Sequence, residues 1–156
     1  MFRPALAAMS AFVLVTACSG PASVKQAREG VDAFHANFNS GNNQAIWDTT
    51  SFDIRNDASQ EQFFGLLNNL RNHYGKVVAT EQRGWHYNSN NGDSFSRLDM
   101  KTTFEKGAAY ERFTYRNVGE GKQLLAGYNI SKDPPPKDNE SGSASASESE
   151  DSKESK

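Results

Sequence analysis

The spacing of the apolar residues changes at Gly75, and that change limits what the middle of this chain can build. Before Gly75, apolar residues recur every three or four positions. Val24, Ala27, Val31, Phe34 and Phe38 form one stripe, and Phe63, Leu66, Leu67, Leu70 and Tyr74 form another. After Gly75 they alternate. Leu98, Met100, Thr102 and Phe104 share one side of an extended run, with Arg97, Asp99, Lys101, Thr103 and Glu105 on the other. A period near 3.6 suits a helix packed on one face, and a period of 2 suits a half-buried strand. Helices followed by strands, with a sheet that needs one face covered, predict an α+β domain.

The boundaries follow from local signals. The first helix is predicted over residues 22–39, weakened by Gly30 and stopped at Gly41. A short second helix or turn covers Asn43–Asp48 with Ile46 and Trp47, and a polar connection carries Phe52 and Ile54. Ser59 with Gln62 three residues on fits a capping box that starts the next helix, and Gly75 sits where a left-handed residue ends it. Strands are predicted over 76–87, 94–105, 108–118 and 122–132. The turn signals between them are Asn88-Ser89-Asn90-Asn91-Gly92-Asp93, Lys106-Gly107 and Gly119-Glu120-Gly121. Consecutive strands with short turns make a curved four-stranded antiparallel meander, with the helices as its cover. In its third strand Phe113 and Tyr115 share one face, and Tyr110, Arg112 and Arg116 share the other.

The two ends differ from this domain. Met1-Phe2-Arg3, an Ala-rich apolar run and Phe12-Val13-Leu14-Val15-Thr16-Ala17 have the layout of a bacterial export signal. The run from Pro4 to Ala17 is shorter than the roughly twenty apolar residues of a spanning helix. Val15-Thr16-Ala17-Cys18 resembles a lipobox, which implies cleavage between Ala17 and Cys18 and acylation of Cys18, the only cysteine. An ordinary secreted product cut after Thr16 and Ala17 is the competing reading, but it leaves an unpaired thiol in an oxidising compartment. Acyl chains give a firm membrane hold, since each buried methylene is worth about 0.8 kcal/mol. Ser19 follows the cysteine. By resemblance to enterobacterial lipoproteins, where aspartate there favours inner-membrane retention, the expected site is the outer membrane, facing the periplasm.

The chain thus divides into a signal peptide (1–17), a lipidated tether (18–23), an α+β domain (24–133) and a tail (134–156). The tail opens on Pro134-Pro135-Pro136, is Ser-rich and mildly acidic, and follows Ile130, the last large apolar residue. Such a segment is expected to be disordered, a solubilising free end. About 110 residues suffice for one modest core.

The order helix, short helix, helix, meander resembles the cone-shaped nuclear-transport-factor-2-like (cystatin-like) fold, and more narrowly a family of small uncharacterised bacterial exported domains. The resemblance rests on Asn39-Ser40-Gly41-Asn42 with Ile46-Trp47, on Ser59-Gln60-Glu61-Gln62-Phe63, on Leu70-Arg71 leading to Tyr74-Gly75-Lys76, and on Gly121-Lys122-Gln123-Leu124-Leu125-Ala126-Gly127-Tyr128-Asn129-Ile130. The chain departs at Gln123, where that family more often has tryptophan. The resemblance implies a fold rather than an activity, although cones of this type have hosted isomerases and dehydratases that set an aspartate and a tyrosine in an apolar cavity.

The residues themselves offer little chemistry. His35, His73 and His86 lack metal-ligand spacing, and Asp32 beside His35 reads as an exposed helix-face pair. There is no Gly-x-Ser-x-Gly elbow and no phosphate loop, since Gly119 and Gly121 fit a hairpin. No metal, cofactor or catalytic residue is therefore expected. The folded part has no basic patch, which argues against nucleic acid. For acid–base work in a cone cavity the candidates are Asp99, Tyr110, Tyr128 and His35, but Asp99 alternates with Leu98 and Met100 and so faces away from the apolar set. Tyrosine and arginine are enriched at binding hot spots, which makes Tyr110, Arg112 and Arg116 the candidate binding surface. The expected function is that of a lipid-anchored, non-enzymatic binding module for an envelope protein or small ligand. The alternatives are an inhibitor or immunity-type protein against an envelope-acting enzyme, and an acid–base enzyme using a cone cavity.

Overall fold

Residues 19–136 are described by a computed structural model; the expected signal peptide (1–17), Cys18 and the expected tail from residue 137 onward lie outside the described residues. Four helices come first: α1 (Ser19–Ser40), α2 (Asn43–Asp48), α3 (Phe52–Asp57) and α4 (Gln60–Tyr74). Four strands follow: β1 (Val77–Asn90), β2 (Asp93–Phe104), β3 (Gly107–Asn117) and β4 (Gln123–Ser131). Each strand pairs antiparallel with the next, so the sheet order is β1-β2-β3-β4. The fold is α+β, with helices packed on an antiparallel meander.

The core forms where the two periodicities meet. Ala27, Val31, Phe34 and Phe38 of α1 are buried against Leu98, Met100 and Phe104 of β2, Phe113 and Tyr115 of β3, and Leu125 of β4. The Phe34 ring lies 5.1 Å from that of Phe113 and 5.0 Å from that of Tyr128. Gly30 weakens α1 as a helix, but packing requires it: a Cβ there would lie 2.8 Å from the Tyr115 ring. Stripe and strand face thus interlock only because one helical position has no side chain.

α4 packs on α1 and α2. Both capping-box bonds of Ser59 and Gln62 are formed, and Gly75 closes the helix at φ 78°. Phe63 and Leu67 are buried, whereas Leu66, expected in the same stripe, is 41 % exposed. The stripe is narrower than predicted because α4 meets the helical layer along one seam. Arg71 crosses that seam, donating from Nε to the Phe38 carbonyl (2.8 Å) and from Nη2 to Asn43 Oδ1 (2.8 Å). Asn39 brackets the start of β1, accepting from the Val77 N–H (2.7 Å) and donating to the Val77 carbonyl (2.9 Å).

Two local expectations are corrected. The connection carrying Phe52 and Ile54 is a helix, α3, with Ser51 as its N-cap accepting from the Asp53 N–H. Its cause is tertiary. The Ser51 N–H donates to the Leu125 carbonyl (2.8 Å) and the Leu125 N–H to the Thr49 carbonyl (2.8 Å), which fixes Ser51 in the extended conformation an N-cap needs. The first hairpin is also tighter than the run of Asn and Ser suggests. β1 continues to Asn90, and only Asn91 and Gly92 turn, at φ 51° and 88°. Two positive φ values in succession fit the twist of paired strands.

Candidate functional site

The face of the sheet opposite α1 carries Tyr110 and Arg112. Register places Tyr110 between Lys101 and Ser131, and Arg112 between Asp99 and Asn129. Arg112 donates from Nε to Asp99 Oδ1 (2.6 Å) and from Nη2 to Asp99 Oδ2 (3.3 Å). This fork gives the guanidinium a fixed direction. Beyond Ser131 the chain contributes to the wall of a hollow beside these strands. Tyr110, Arg112, Asn129, Ser131, Asp133 and Pro134–Pro136 line an open pocket of about 570 Å³.

Arg116 is not brought to this pocket. It lies at the other end of β3, almost buried, with its guanidinium 4.5 Å from the Phe52 ring and 4.4 Å from the Phe95 ring. It donates to Asp53 Oδ2 (2.9 Å), Asp53 Oδ1 (2.7 Å) and Asp93 Oδ1 (2.5 Å). The hydrogen bonds from Arg116 hold the Asp53 carboxyl at about 2, below the usual carboxylate range, and the two aspartates push Arg116 upward. Arg116 therefore clamps α3 to the sheet. The expected three-residue surface separates into a pocket holding two of its members and a clamp made from the third.

The inner face holds a cluster that the spacing of motifs did not reveal. Glu111 is 2 % exposed. Its Oε2 lies 2.8 Å from His35 Nε2 and accepts from the Thr102 hydroxyl, and its Oε1 accepts from the Tyr128 hydroxyl at 2.7 Å. Burial and the charge of Glu111 push the Tyr128 hydroxyl well above its ordinary value, so it remains a donor. His35 is wedged edge-on between Phe34 and Phe113, at 5.9 and 5.6 Å. The expected Asp32–His35 pair is absent: Asp32 pairs with Arg28 (3.2 Å) on the outside of α1, and His35 turns inward. The signals were there. His35 follows Val31 by four residues on the buried stripe, and Glu111 falls between Ala109 and Phe113 in the inward register.

The acid–base candidates are divided by the sheet. Asp99 and Tyr110 lie on the outer face, Tyr128 and His35 on the inner. Both oxygens of the one buried carboxylate are taken by donors, and aromatic rings fill the space beside it. Chemically this arrangement is a fixed polar tie between α1, β2, β3 and β4. His73 and His86 are exposed and take no part in it. Among the described residues no group of three His, Cys, Asp or Glu side chains is placed to hold a metal, and no helix is long and apolar enough to cross a membrane. In comparison with known proteins, no family model, no curated protein and no solved structure matches this chain.

Proposed function

We propose that this chain is an envelope lipoprotein, held on the outer membrane by acyl chains on Cys18, whose domain is a non-enzymatic binding module for an envelope protein or small ligand. The observation that carries the reading is the pocket of about 570 Å³ on the sheet face left uncovered by α1, with Tyr110 and the fork-held Arg112 in its wall. An aromatic ring and an oriented guanidinium beside an apolar hollow are the usual makings of a recognition site. The cone of nuclear-transport-factor-2-like type belongs to the same proposal. Its interior side is packed with Phe34, Phe38, Phe104 and Phe113, which favours recognition on the outer face over turnover within.

The test uses the full acylated protein and the partner it captures. Tyr110→Ala and Arg112→Ala are each expected to weaken that complex about tenfold or more, in line with hot-spot truncations above about 1.4 kcal/mol. Leu66→Ala, on the exposed side of α4, is expected to leave it unchanged. Unchanged affinity in both pocket variants would sink the proposal.

A further inference from the structure

We infer that the domain stands upright on the bilayer, with the β1–β2 and β3–β4 turns and Phe52 against the lipid headgroups and the Tyr110–Pro136 pocket at the far end. The inference rests on acylation of Cys18 and adds an orientation to it. Its first support is that α1 takes in the chain from Ser19, the first described residue, onward. Residues 19–23 of the expected tether therefore belong to α1. With acylation of Cys18, the lipid would sit on the residue next to this helix and little free chain would lie between lipid and domain.

The second support is the path of α1 over the sheet. At its beginning, Gln123 Nε2 donates to the Ser23 carbonyl (3.0 Å), and a Cβ on Gly121 would lie 2.8 Å from Gln26. Further along, Gly30 meets Tyr115, His35 meets Glu111, and Asn39 meets Val77. The first turns of α1 thus lie at the start of β4, beside the end of β3. Strand register brings the start of β2 and the end of β1 to the same end: Asn117 pairs with Gln123 and with Ser94, and Asp93 pairs with Asn90. Both two-strand turns, Asn91–Gly92 and Val118–Lys122, are consequently on the anchored side. The β2–β3 turn at Glu105–Lys106 and the exit of β4 toward Pro134–Pro136 are on the other.

The third support is what the anchored end exposes. Phe52 is 58 % exposed although Arg116 holds its ring from behind, and Val118 is 46 % exposed next to the β3–β4 turn. The β3–β4 turn beside Val118 carries both signs of charge, with Glu120 and Lys122 two residues apart. Apolar side chains rimmed by both signs of charge fit a zwitterionic headgroup layer better than a strongly anionic one. At about 1.5 Å per residue, α1 spans roughly 33 Å, so the pocket would open about that far from the bilayer, toward soluble or facing-membrane partners.

The experiment places p-benzoylphenylalanine at Phe52, Val118, Lys122, Lys106 or Tyr110 and reads lipid adducts by mass after illumination on phosphatidylcholine vesicles. It is run on the native acylated protein and on the chain from Cys18 onward, coupled through its thiol to a maleimide lipid. Adducts at 52, 118 and 122 at least tenfold above those at 106 and 110 support the orientation. No preference, or the reverse, in the maleimide-coupled protein overturns it. Mass analysis of the native N-terminal peptide is read separately: an unacylated Cys18 overturns the anchoring while the coupled protein still decides the geometry. Lys122 guards against loss of folding at Val118.

Discussion

Glu111 ties the helical layer to the sheet through its hydrogen bonds with His35, Thr102 and Tyr128. Removing the carboxylate leaves those groups buried without their partner, and breaking a buried charged network this way is costly. Glu111→Ala is expected to lower unfolding stability by about 3 kcal/mol, and Tyr128→Phe by about 1 kcal/mol, as read from urea midpoints. The tyrosines also set a pH limit. Burial raises Tyr115 and Tyr128 above their ordinary value near 10, so the stability they confer is complete below about pH 10 and is lost as pH rises further. Tyr128→Phe is expected to flatten that alkaline decline. Asp53 behaves in the opposite sense. Held at about 2 by Arg116, it supports the fold above about pH 4, and that support is lost as pH falls toward 2. A carboxyl NMR titration is expected to find Asp53 near 2 in the native protein and back in the ordinary range in Arg116→Met. The alternation around Phe113 carries the signal that Glu111 points inward, a signal the sequence reading passed over, and nothing local announces its pairing with His35, 76 residues away. Likewise nothing local to Arg116 announces Asp53, 63 residues distant.

At the scale of elements, α1, α4, β2 and β3 were legible because each buries one face and carries the matching period over eleven or more residues. α3 was not. Its six residues are too few for a helical stripe, and its N-cap is set by hydrogen bonds to Leu125 in β4. The end of β1 was hidden for a different reason: Asn88, Ser89 and Asn90 read as loop residues, yet pairing with Phe95, Ser94 and Asp93 keeps them extended. The contact between α1 and β3 yields a prediction of its own. Gly30→Ala, which by propensity should favour the helix, is expected to destabilise the protein by about 1–3 kcal/mol, because the new methyl meets the Tyr115 ring. Thermal unfolding of Gly30→Ala alone and with Tyr115→Leu checks it, and the second change is expected to restore part of the loss. Ser59→Ala removes one half of the α4 capping box and is expected to lose about 1 kcal/mol by the same measurement.

For the whole molecule, the short connections after Gly75 left little choice but a meander, and the order of its strands followed from the sequence. The pocket did not. Part of its wall is Pro134–Pro136, read as an exit into the tail, and no sequence pattern marks such a segment as the wall of a pocket. The two faces of that sheet have different work. The inner one is closed by α1 and by the Glu111 tie, and the outer one presents Tyr110 and Arg112. The proposed lipid anchor, placed at the opposite end of α1 from the pocket, leaves that face free. The most direct measurement is photocrosslinking in living cells with p-benzoylphenylalanine at position 110, and at position 66 as a control. The account predicts one defined adduct at 110 that fades when Cys18→Ala releases the protein from the membrane, and none at 66. No adduct at 110, or the same adducts at both positions, would contradict it.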